Sequence, residues 1–135
     1  NFMAIEVEGL FCDYDAVLAA IDDEQRAIID ARGSGRFYGT APEPRPGMRG
    51  GHMPSARNLP FTEVLEAGRL RPPEELRRLF LDKATQEQQV ITSCGSGITA
   101  CVLTLAAWEL GYRNLSVYDG SWAEWGLPSH LPGGS

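Results

Sequence analysis

The sequence predicts a single α/β domain, a central parallel sheet of about five strands with helices on both faces. Three observations lead there. Short apolar runs rich in β-branched residues recur at Ala27-Ile28-Ile29, at Val90-Ile91 and at Leu115 with Val117, spaced widely enough for a helix between them. The segments 14–21, 73–81 and 98–110 carry helical start signals or apolar spacing. With 135 residues, 43% hydrophobic and 22% charged, the chain suits one domain that buries a core without staples.

Residues 1–12 read as a lead-in or interdomain linker, 13–127 as the domain and 128–135 as a C-terminal tail. Asp13 is placed to cap a helix over 14–21, where Val17, Leu18 and Ile21 share a face. A strand follows at Ala27, Ile28 and Ile29 and ends in Asp30. From Ala31 to Pro60 lie six glycines and several of the nine prolines, too many breakers for regular structure; the stretch predicts a long loop with one short strand near Asn58 and Leu59. Loops of that length usually serve function. Pro73 suits the first turn of a helix running to about Leu81, with Glu74 and Glu75 near its positive end and Leu76, Leu79 and Phe80 on the buried side.

The next strand spans Gln89 to Ser93. Cys94-Gly95-Ser96-Gly97 comes directly after it, followed by the nearly all-apolar stretch 98–110, a buried helix closed by Gly111 with Trp108 read as core. Leu115, Val117 and Tyr118 predict the last strand. Asp119-Gly120-Ser121, with Asp119 a cap candidate, then opens a short helix carrying Trp122 and Trp125, read as packing beneath the cleft rather than walling it.

Composition narrows the function. A net charge of -6 without a run of lysines or arginines excludes a phosphate backbone as the natural partner. No apolar stretch reaches the roughly 20 residues of a membrane span and no signal segment opens the chain, so a soluble protein is expected. Cys12, Cys94 and Cys101 make an odd number without zinc-type spacing, which speaks against both a disulfide framework and a metal site. The start at Asn1 suggests a processed product or a piece of something longer.

Cys94 is the chemical candidate. A cysteine after a buried strand, in a glycine-bearing loop leading into a helix, occupies the place where open α/β sheets bind ligands. The amides and positive end of that helix, with loop amides freed by Gly95 and Gly97, form an anion cradle of the kind that lowers a thiol pKa. A cysteine phosphatase would need an arginine six residues on, and Ala100 stands there. Cys101, two turns into the apolar helix, and Cys12 read as small hydrophobes.

An ordered set of segments goes further. Asp30-Ala31-Arg32, Gly35-Arg36-Phe37-Tyr38-Gly39-Thr40 with Pro42-Glu43-Pro44-Arg45, Gly51-His52-Met53-Pro54 with Asn58-Leu59-Pro60-Phe61, Cys94-Gly95-Ser96-Gly97-Ile98-Thr99-Ala100 and Tyr118-Asp119-Gly120-Ser121-Trp122 cover almost the whole chain. Together they resemble the rhodanese-like sulfurtransferases, and within them the catalytic C-terminal domain of the 3-mercaptopyruvate type. The resemblance implies the rhodanese-like fold and a Cys94 persulfide that carries sulfur from a donor to a thiophilic acceptor such as thioredoxin, a small thiol or cyanide. It implies no metal or organic cofactor.

The neutral Cys-Gly-Ser-Gly-Ile-Thr loop is similar to the mercaptopyruvate type rather than the Cys-Arg-Lys-Gly-Val-Thr loop that suits the thiosulfate dianion. By the same resemblance the donor carboxylate falls to Arg36 and Arg45, and the amides of Gly95, Gly97, Ile98 and Thr99 hold the transferred sulfur. Ser96 belongs to a serine, histidine and aspartate constellation whose other two members lie in a preceding N-terminal domain, absent from this chain. His52 reads as structural, His130 falls in the tail, and Asp30 and Arg32 as a buried ion pair bracing the substrate loop. A thiosulfate sulfurtransferase and a non-catalytic module awaiting the N-terminal domain stay open as alternatives. The expected compartment is the cytoplasm, or the mitochondrion if a targeting segment precedes Asn1.

Overall fold

The computed structural model describes residues 11–43, 48, 50–95, 99–118 and 120–126. Its elements in chain order are β1 (Phe11–Cys12), α1 (Tyr14–Ala20), β2 (Arg26–Asp30), α2 (Ser34–Phe37), β3 (Arg57–Asn58), a 3-10 turn (Phe61–Val64), β4 (Leu65–Glu66), β5 (Arg69–Leu70), α3 (Pro73–Leu81), β6 (Gln89–Ser93), α4 (Ala100–Glu109), β7 (Leu115–Tyr118) and α5 (Ser121–Trp125). Five strands form one sheet in the order β1-β7-β6-β2-β3, every pairing parallel, and β4 with β5 makes a separate hairpin.

The sheet is buried on both faces, as parallel sheets are. Side chains alternate along each strand. Ala27, Ile29, Val90, Cys94 and Val117 point to one core with Leu103, Ala106 and Ala107 of α4 and Leu76 and Phe80 of α3. Ile28, Ile91 and Tyr118 point to the other, with Val17 and Ala20 of α1, Met53, Trp122 and Trp125. A buried hydroxyl pair on the α4 side is satisfied: Thr92 Oγ1 lies 2.8 Å from Thr104 Oγ1, and Thr104 donates back to the Ala100 carbonyl.

Local signals explain the helix ends. Asp13 Oδ1 accepts the Ala16 N–H at 3.2 Å and starts α1, and Pro73 begins α3. At the end of α4, Gly111 takes φ +102; its N–H reaches the Trp108 carbonyl at 3.0 Å while the Tyr112 N–H reaches Ala107 at 3.0 Å. That double bond pattern is a Schellman stop, which needs a residue that tolerates positive φ.

Four features differ from the sequence reading. Phe11 and Cys12, taken as lead-in, pair with Val117 and Tyr118 as the edge strand. The long loop contains α2, whose first turn forms because the Gly33 carbonyl accepts the N–H groups of both Arg36 and Phe37 at 3.1 Å while Phe37 is buried as its anchor. Leu18 is 38% exposed, so the buried face of α1 is Val17 with Ala20. Trp108 is half-buried on the outer side of α4, its ring 3.9 Å from the Arg113 guanidinium. Among the described residues no helix is long and apolar enough to cross a membrane.

Candidate active site

Cys94 stands immediately past the carboxyl end of β6, between β7 and β2, and is 1% exposed. Its backbone is held from three directions. The Cys94 N–H donates to Ser121 Oγ at 3.1 Å, and that hydroxyl donates to the Tyr118 carbonyl at 2.9 Å. The Trp122 N–H donates to the Cys94 carbonyl and the Ala123 N–H to the Gly95 carbonyl, each at 2.8 Å. A trans peptide aims its N–H opposite its C=O, so fixing the Cys94 carbonyl on α5 turns the Gly95 amide away from that helix. Ser121, fully buried, adopts φ +49, a left-handed conformation that persists because its hydroxyl is tied at both ends.

A chain of charges runs from the end of β2 to the Cys94 loop. Asp30 accepts from Arg32 Nε at 3.0 Å and Nη2 at 2.8 Å, and its Oδ1 also accepts the Arg32 backbone N–H at 2.9 Å. Arg32 Nη2 donates to the Gly51 carbonyl at 2.7 Å, its guanidinium stacks 4.2 Å from the Trp122 ring, and its side chain is 0% exposed. Glu43 bridges onward: Oε2 accepts from Arg32 Nη1 at 3.2 Å, and Oε1 accepts from Arg36 Nη2 at 2.9 Å. The Arg36 guanidinium then lies over Gly95, where an added Cβ would sit 2.9 Å from Nη2. A side chain at position 95 would have to push this guanidinium aside, so glycine here lets the cation lie close to the cysteine loop.

The structure therefore brings together Cys94, Gly95, Arg36, Asp30 and Arg32. Thr99 forms the lead-in to α4, its carbonyl accepting the Val102 N–H at 3.1 Å. Ser96, Gly97, Ile98, Arg45, Asp119 and His130 lie outside the described residues. His52 is built into the loop, stacked 3.9 Å from the Phe37 ring with Nδ1 2.9 Å from the Phe37 carbonyl, and Trp122 and Trp125 are fully buried. Two supporting residues, Glu43 and Ser121, stand in the motifs with no role that the sequence assigns. Glu43 carried a signal, a carboxylate flanked by arginines in a glycine and proline loop; Ser121 carried none beyond its position after Asp119-Gly120.

The other cysteines behave differently from a nucleophile. Burial, with Asp13 adding to it, pushes the Cys12 thiol up to about 11, and burial, with the neighbouring Cys94 adding to it, also raises Cys101. A thiol reacts through its thiolate. At pH 8 Cys12 is therefore expected to be alkylated by iodoacetamide about a hundredfold more slowly than an exposed cysteine of ordinary pKa, read by peptide mass over time; equal rates would show that burial does not govern it. Tyr118, buried and hydrogen-bonded to Glu124, is likewise held protonated by both effects.

The profile of the rhodanese-like domain matches residues 13–127, and the chain belongs to the rhodanese-like family. Within that family it is similar to 3-mercaptopyruvate sulfurtransferases. It is 42% identical over 123 residues to the Mus musculus enzyme of that name, covering 87% of this chain and 41% of that protein. It is 44% identical over 117 residues to the Escherichia coli (strain K12) enzyme, covering 86% and 42%. The crystal structure of SseA from Escherichia coli, a 3-mercaptopyruvate sulfotransferase, superimposes with a TM-score of 0.70 at 37% identity, over 84% of this chain and 42% of that one. EanB in complex with ergothioneine, at 18% identity and a TM-score of 0.84 over 93% of this chain and 32% of that one, shares the fold. The chain thus spans about two fifths of the length of the curated relatives it matches.

Proposed function

We propose that this domain carries the sulfur-transfer step of a 3-mercaptopyruvate sulfurtransferase. The supporting observation is the Arg36 guanidinium lying over Gly95 beside Cys94, with Nη1 unengaged among the described residues. The Cys94 thiolate attacks the sulfur of 3-mercaptopyruvate; the new S–S bond forms as the C–S bond breaks, its electron pair leaving as the enolate of pyruvate, which then takes a proton. Arg36, together with Arg45, meets the donor carboxylate with paired hydrogen bonds. Amides of Gly95, Gly97, Ile98 and Thr99 stabilise the charge on the terminal sulfur of the persulfide. An acceptor thiol, thioredoxin among them, or cyanide then takes that sulfur and returns the thiolate, a ping-pong cycle.

Ser96 acts here as one member of a polarising set. His52 is engaged with Phe37, so we assign the histidine and aspartate of the set to a further rhodanese-like unit, in keeping with the span of the relatives. A reducing compartment, cytoplasmic or mitochondrial, suits three cysteines that form no disulfide. Arg36 over Gly95, the residue next to Cys94, disfavours a purely non-catalytic module.

Arg36→Ala tests the donor assignment. Losing a charge-assisted contact worth roughly 2 kcal/mol is expected to raise the KM for 3-mercaptopyruvate about thirtyfold, followed by steady-state pyruvate release. A KM within a factor of two of the wild type would remove Arg36 from carboxylate binding.

A further inference from the structure

We propose that Glu43 sets the donor preference of this site: it holds the Arg36 guanidinium against the Cys94 loop while cancelling the charge that would favour a doubly negative donor. The proposal rests on the reading of Arg36 as the group that meets the donor.

Glu43 is placed to do both. Its side chain is 4% exposed, and its two oxygens are shared between Arg32 and Arg36. Arg32 cannot move to follow it, being fixed by Asp30 and the Gly51 carbonyl. Arg36 is therefore anchored through Nε and Nη2, which leaves Nη1 without a hydrogen-bond partner among the described residues, 3.6 Å from a Cβ built at Gly95. The charges of Asp30 and Arg32 cancel, and so do those of Glu43 and Arg36.

Geometry and field are thus separated at Arg36. A monoanion gains the N–H donors of the guanidinium and meets little net field from the Glu43–Arg36 pair. A dianion brings a second charge toward Glu43, and Coulomb energy scales with the product of charges, so removing the Glu43 charge helps a dianion about twice as much as a monoanion.

Glu43→Gln keeps the size and one accepting oxygen while removing the charge; Glu43→Asp keeps the charge. Dissociation constants of pyruvate and of sulfate are measured on the full chain by NMR titration. The ratio of the pyruvate constant to the sulfate constant is expected to rise at least about tenfold in Glu43→Gln and to stay near wild type in Glu43→Asp. An unchanged ratio in Glu43→Gln, an equal loss of both anions, or binding of neither anion by the wild type overturns the proposal. Pyruvate release from 3-mercaptopyruvate is followed separately: a wild type that binds with the expected ratios but does not turn over would refute the assigned reaction and support the role of Glu43.

Discussion

Cys94→Ser is expected to lower pyruvate release from 3-mercaptopyruvate by at least a thousandfold, about 4 kcal/mol of barrier. The hydroxyl that replaces the thiol is not ionised near neutral pH and is a poor nucleophile toward sulfur. The fold should survive, because serine is close in size and the backbone of residue 94 keeps its anchors, its N–H to Ser121 and its carbonyl to the Trp122 N–H. Intact mass after incubation with the donor gives a second readout, one added sulfur in the wild type and none in the variant. Equal pyruvate release by both proteins would remove Cys94 from the reaction.

The second large effect is on stability. Asp30→Asn leaves the Arg32 guanidinium, 0% exposed, without the carboxylate that accepts two of its nitrogens. Removing one partner of a buried pair costs about 3–5 kcal/mol, since the remaining charge stays desolvated. For a domain of this size that corresponds to a drop in Tm of roughly 10–15 °C, measurable by thermal melting alongside the urea midpoint. A loss below about 1 kcal/mol would show that Glu43 and the Gly51 carbonyl alone satisfy Arg32. Turnover should fall with stability here, because Arg36 is positioned through the same chain of contacts.

What the sequence makes legible follows from range. The start of α1, the whole of α3 and the span of β6 are encoded within a few residues, by the Asp13 cap, by Pro73 and by the apolar run after Gln89. The parallel sheet covered on both faces is readable from the alternation of such segments, whereas the rhodanese-like fold is legible only through the family likeness of the ordered motifs. By contrast α2 and the β4–β5 hairpin are single turns whose existence depends on one backbone acceptor, Gly33, or on two positive-φ residues, Ala67 and Gly68, within a stretch of breakers. Trp108 was misplaced because α4 is apolar on nearly every side: a helix without a polar face gives periodicity no phase to report.

The site divides the same way. Cys94 is visible as strand, glycine loop and helix in immediate succession. Arg36 has no local mark at all, and only the family likeness singles it out. Glu43 and Ser121 act across 11 and 27 residues of chain respectively, distances over which side-chain spacing carries no information. Their roles become readable only once the sheet has brought β2, β6 and β7 side by side.

The two carbonyl anchors on α5 make the nucleophile loop subordinate to a pair of indoles. Trp122 and Trp125 are sealed on the face of the sheet opposite α4, and any tilt of the short helix they seat is passed as torsion into the peptide planes on either side of Cys94 and Gly95. The setting of residue 94 is thus expected to respond to changes behind the sheet, and most selectively at Trp125, since Trp122 also stacks on Arg32.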